Sequence, residues 1–195
     1  MTKIKAIGIG RVTAFNGRRK VGIDTNVFIK LYQQPYLFDY EQARIFNYSD
    51  LIFTHSICRF ELIKYLMKEG KSLEEAKAEA NSFIRGKRVN IIFSSDCYIT
   101  EEDADSFEKY ANEEFKKNKQ KVLTCHKPDS IILLAFKKCN INKVLSTDES
   151  IKEGAKLLGM DGAGLPSLDY IISKKLKGMF DYNYKKEFKG RHRKR

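Results

Sequence analysis

The sequence is poor in the features that mark several large functional classes. Nowhere do eighteen apolar residues run together, which removes the ordinary membrane-spanning helix from consideration. Residues 1–20 scatter charges where a secretory leader would carry an uninterrupted apolar segment. The expectation is a soluble protein of the cytoplasm, without a membrane partner. Four cysteines, Cys58, Cys97, Cys125 and Cys139, never reach the two-residue spacing of a zinc knuckle or a thioredoxin-like motif. They read as reduced core thiols. His55, His126 and His192 are equally dispersed, so no histidine-rich metal site is suggested. Gly8-Ile9-Gly10 lacks the third glycine of a dinucleotide-binding turn and lies too early in the chain. Any chemistry must therefore come from carboxylates.

What the chain does have is length for one buried core, with 195 residues and 42% hydrophobic content. Its charge is uneven. Of the net +12, residues 1–20 hold +6 and residues 174–195 hold +8, leaving the body between them at −2. Cationic ends on a nearly neutral body suit a polyanion, because each phosphate neutralised releases counterions. A basic tail can also serve solubility alone. Here, however, Phe180, Tyr182, Tyr184 and Phe188 are interleaved with Lys185, Lys186 and Lys189, and Arg191, Arg193, Lys194 and Arg195 follow. Rings that stack on unpaired bases beside cations that hold phosphates favour RNA contact. The organisation expected is a basic leader over 1–20 with a β-hairpin turning at Asn16-Gly17, a main domain over 21–173, and a basic aromatic tail over 174–195.

Short apolar runs at 21–23, 51–54, 90–93 and 143–146 read as buried strands. Helical patterns follow each. Ser56 stands where an N-cap would, ahead of Ile57, Phe60, Leu62, Ile63 and Leu66; Ser72 with Glu75 and Thr100 with Asp103 form capping boxes. Pro128 suits the first turn of a helix over about 128–136. Further helices are expected near 27–32, 40–48, 150–158 and 166–177. Alternating strands and helices imply an α/β fold, a three-layer α/β/α sandwich around a central, mostly parallel sheet. Ligands bind beyond the carboxyl ends of such strands. Asp24 and Asp148 fall just past two strand ends, and Glu61 and Asp129 lie in early helical turns. Each acid alone has a structural explanation, as a cap, a helix-dipole partner or a solvated side chain. Four gathered together repel one another and are costly to desolvate, and a divalent cation removes that repulsion.

The stretches VGIDTNVFIKL, CRFELIKYL, HKPDSIILLAF and VLSTDESI, in this order, resemble the PIN-domain nucleases over about residues 21–160. Each motif is weak alone, and the four in sequence make the resemblance specific. The resemblance implies a PIN-like fold and a metal-dependent endoribonuclease that hydrolyses phosphodiester bonds, for RNA processing or toxin-type cleavage. It places the catalytic and metal-holding acids at Asp24, Glu61, Asp129 and Asp148, with Asn26 and Ser146 supporting them by hydrogen bonds. An all-oxygen set suits Mg²⁺ or Mn²⁺. RNA is the implied partner, through Lys185, Lys186, Lys189, Arg191, Arg193, Lys194 and Arg195, and a homodimer, an antitoxin or a ribosome-assembly protein are compatible with it. A non-catalytic RNA-binding or ribosome-assembly component with the same fold is the alternative, and DNA as substrate stays open. The leader and tail lie outside the family core.

Overall fold

The computed structural model of the protein describes residues 18–34, 50–118 and 123–165. The chain divides into two compact units, 1–164 and 165–195, and the architecture below belongs to the first. The expected hairpin of the leader, the helices near 40–48 and 166–177, and the basic aromatic tail with the seven cations named for RNA contact lie outside the described residues.

The element order is β1 (Lys20–Ile23), α1 (Thr25–Gln33), β2 (Leu51–His55), α2 (Ser56–Lys68), α3 (Leu73–Gly86), β3 (Asn90–Ile92), a single 3-10 turn (Ser95–Cys97), α4 (Glu101–Lys117), α5 (Lys127–Lys138), β4 (Lys143–Leu145), α6 (Glu149–Leu157) and β5 (Asp161–Ala163). All five strands are parallel, in the order β3-β2-β1-β4-β5. Helices α1, α2 and α3 pack in succession, as do α4, α5 and α6, giving the three-layer α/β/α sandwich. β1 lies at the centre with every residue buried, as expected of a parallel strand covered on both faces.

Why α5 can lie close against β1 is visible at Gly22. A Cβ there would stand 2.7 Å from the Phe136 ring, so the missing side chain admits the aromatic directly onto the strand. Val21, Ile23, Phe28, Leu133, Phe136 and Leu145 are all fully buried in the core. At the amino edge of the sheet, Arg19 pairs with the buried Asp50 carboxylate, and Lys20 donates to the Cys139 carbonyl at 2.8 Å.

Both capping boxes form, at Ser72 with Glu75 and at Thr100 with Asp103, and Pro128 sits in the first turn of α5. One cap differs. His55, not Ser56, is the N-cap of α2, and its Nδ1 accepts the Ile57 N–H at 3.2 Å. The other ring nitrogen, Nε2, lies 3.1 Å from the Ser94 hydroxyl. With Nδ1 accepting, Nε2 carries the proton and donates to Ser94. Burial lowers the His55 pKa to about 4, so the ring is a neutral clamp between α2 and the segment after β3. β5 was not expected at all, and α6 opens at Glu149, one residue earlier than the pattern suggested.

Candidate active site

The order of the sheet reverses between β1 and β4, and the carboxyl ends of the strands there frame a crevice. Ile23 is in register with both Thr54 and Leu145, so Asp24, His55 and Ser146 emerge side by side at that edge. Two helices bring further acids to it: α2 starts directly after β2 and presents Glu61, and α5 presents Asp129 from its first turn. The result is a cavity of about 160 Å³ lined by Asp24, Glu61, Asp129 and Asp148, with Thr25, Asn26, Pro128, Ile132 and Ile151 completing its wall. All four acids marked in the sequence are therefore brought together, and Asn26 stands at the same cavity.

Asp24 is the most confined of them, at 2% exposed. It occupies the N-cap position of α1 yet makes no side-chain capping bond. The structural role open to it is not taken. Its Oδ2 instead accepts a 2.9 Å hydrogen bond from Ser146 Oγ. The same Ser146 oxygen accepts the Asp148 backbone N–H at 2.9 Å. One fully buried hydroxyl thus ties the carboxylate after β1 to the backbone of the acid after β4. Asp148 does cap its helix: Oδ1 accepts from both the N–H and the hydroxyl of Ser150, each at 2.8 Å. That leaves Oδ2 uncommitted in this motif.

Electrostatics follow from the crowding. Burial raises the Asp24 pKa to about 6; the Ser146 hydroxyl and the Thr25 backbone N–H pull it down, while the charges of Asp129 and Asp148 push it up. Asp129 is also raised, first by burial, then by Asp148, with Glu61 adding to it. The acids sense one another. The nearby thiols are neutral at physiological pH: burial first, then the Asp24 charge, pushes Cys58 up to about 12, and burial followed by Asp129 does the same to Cys125.

An all-carboxylate donor set under mutual repulsion is the kind of arrangement a hard divalent cation would relax. Among the described residues, no group of three or more His, Cys, Asp or Glu side chains is already drawn together as a metal cage. Holding an ion would draw the partly exposed Glu61 and Asp129 toward Asp24 and Asp148, whose directions Ser146 and Ser150 hold. Ser150 and the apolar pair Ile132 and Ile151 were not singled out from sequence. The Asp-x-Ser spacing from Asp148 to Ser150 was the readable sign of the first; nothing local marks the other two. Ser130, the residue after Asp129, donates to the Lys127 carbonyl at 2.8 Å and belongs to the helix start.

No protein-family model matches the chain, and no curated protein matches it.

Proposed function

We propose that the protein is a divalent-cation-dependent endoribonuclease of the PIN kind. The observation that carries this reading is the meeting of Asp24, Glu61, Asp129 and Asp148 around one small cavity at the carboxyl edge of a parallel sheet. Asp24, Asp129 and Asp148 would hold Mg²⁺ or Mn²⁺, with Glu61 orienting water or a second ion. When bound, the cation supplies charge neutralisation, polarisation of the phosphodiester and a lowered pKa for the attacking water.

The rest is done by the chain's own groups. Ser146 fixes the direction of Asp24 and Ser150 that of Asp148, so neither carboxylate turns freely toward solvent. Asn26, exposed at the cavity, has an amide available to donate to a phosphate oxygen. Ile132 and Ile151, both buried, exclude water from one wall and strengthen every charge interaction inside. RNA as the polymer rests on the sequence of residues 174–195, where aromatics alternate with cations.

The test replaces Asp129 with Asn and compares cleavage of single-stranded and structured RNA with and without Mn²⁺. Loss of more than about 100-fold is expected, since perturbing even the groups behind a ligand costs about 10–100-fold. Equal cutting by both pure proteins would refute the assignment. Removing residues 174–195 should weaken RNA binding and flatten its salt dependence; an unchanged slope would return the tail to a solubility role. The alternative is a non-catalytic RNA-binding or ribosome-assembly component with the same fold. Calorimetry separates the two readings, because a scaffold has no need to bind Mn²⁺.

A further inference from the structure

At the amino edge of the sheet, away from the acids, two cysteines from separate elements meet. Asp129 lies in the first turn of α5, and Cys139 is its C-cap, about 15 Å further along the helix axis. The Cys139 carbonyl accepts from Lys20 at the start of β1, which places this end of the helix opposite the cavity. Cys97 closes the 3-10 turn that follows β3. Its sulfur lies 3.5 Å from the sulfur of Cys139. Among the described residues this is the only thiol–thiol contact.

We propose that Cys97 and Cys139 are a redox-modification site, a dithiol that a hydroperoxide oxidises to an intramolecular disulfide joining the β3–α4 connection to the end of α5. A disulfide has an S–S distance of about 2.05 Å, so the sulfurs must approach by about 1.5 Å. Each cysteine sits at the end of a helical turn, immediately before a left-handed residue, Tyr98 at φ 50 and Asn140 at φ 54. Neither is held within a strand ladder.

The two thiols are not equivalent. Cys139 is partly exposed, whereas Cys97 is 8% exposed. Burial first, then the hydrogen bond with Cys139, pushes the Cys97 thiol up to about 12. Cys139 therefore reacts first: its thiolate attacks the outer peroxide oxygen, the O–O bond breaks, and the departing oxygen takes a proton to leave as water or an alcohol. Cys139 becomes a sulfenic acid. The Cys97 sulfur then attacks the sulfenic sulfur, the S–O bond breaks, and the oxygen leaves as water with the Cys97 proton. The peroxide gains two electrons and each sulfur gives one. The other two thiols have no such partner, and Cys58 is fully buried.

The pair shares no residue with the acid cavity, so its test is independent of the nuclease reading. The full-length chain is treated with limiting hydrogen peroxide, quenched, unfolded, alkylated and mapped without reduction. Of four alkylatable thiols, two should disappear, a peptide linking Cys97 to Cys139 should appear, and dithiothreitol should restore all four. Because the bond closes a separation of 42 residues, the oxidised chain should also melt at a higher temperature. The Cys139→Ser variant should form no such link and keep its three remaining thiols. The proposal is overturned if all four thiols persist, if Cys139 passes to the sulfinic acid without a link, or if links involve Cys58, Cys125 or a second chain. Should the variant not fold, the map of the unsubstituted chain decides alone.

Discussion

Replacing Asp24 with Asn should stabilise the metal-free protein at neutral pH. Its carboxyl is nearly isosteric with the amide, and Asn can still accept the Ser146 hydrogen bond through its carbonyl oxygen. What disappears is a buried charge. The difference between an ordinary 3.8 and about 6 in the fold, at about 1.4 kcal/mol per pH unit, makes the ionised form about 3 kcal/mol less favourable in the folded chain than in the unfolded one. The sign follows from proton uptake. Between about pH 4 and pH 6 the folded state binds more protons at this position than the unfolded state, so the contribution of Asp24 to stability is lost as pH rises through that window. Urea unfolding in EDTA at pH 4 and at pH 7 measures it. The gap between Asp24→Asn and the unsubstituted protein should be small at pH 4 and reach about 3 kcal/mol in favour of the variant at pH 7. Added Mn²⁺ at about 1,000 times its Kd should reverse the order, since it stabilises the unsubstituted protein by about 4.1 kcal/mol and the variant lacks one of the proposed ligands. A variant that is less stable at pH 7, or a gap that does not depend on pH, would refute the argument that this acid is held against an electrostatic cost.

Ser146→Ala removes the hydroxyl that joins Asp24 to the Asp148 backbone; about 1–3 kcal/mol of stability should go with it. Mn²⁺ affinity by calorimetry should fall by about 10–100-fold, and the pH at which binding sets in should rise, because Ser146 holds the Asp24 pKa down. Gly162→Ala should destabilise by about 1–3 kcal/mol in thermal or urea unfolding: its Cβ would stand 2.2 Å from the Lys152 backbone carbonyl, which no side-chain rotation relieves.

The elements readable from sequence were those whose cause is local. The apolar runs at 21–23, 51–54, 90–93 and 143–146 each match an observed strand to within one residue at either end, because a strand covered by helices on both faces is apolar at successive positions. Ser72 with Glu75 and Thr100 with Asp103 encode their helix starts within four residues. β5 was not readable: Asp161–Ala163 has neither alternation nor an apolar run, and becomes a strand only because β4 offers it a ladder. The His55 cap escaped for a related reason, since histidine seldom caps and does so here through a ring buried against Ser94. The four acids were legible as strand-end and helix-start residues. Ser146 as a hydrogen-bonding support came from the resemblance and not from periodicity, and its bond to Asp24 joins residues far apart in the chain; the meeting of Cys97 with Cys139 is a contact of the same long-range kind, with no sign in the sequence.

The empty position at Gly22 reaches further than packing. Because the Phe136 ring rests on the strand itself, the spacing between β1 and α5 is set by one missing methyl group, and these two elements bring Asp24 and Asp129 to the site. The bite of the acid pair is thereby calibrated from below. On the metal-holding reading proposed above, widening it from within the core would alter the ionic radius the pair accepts without substituting a carboxylate, so drift in the hydrophobic interior would tune the preference between small and large divalent ions.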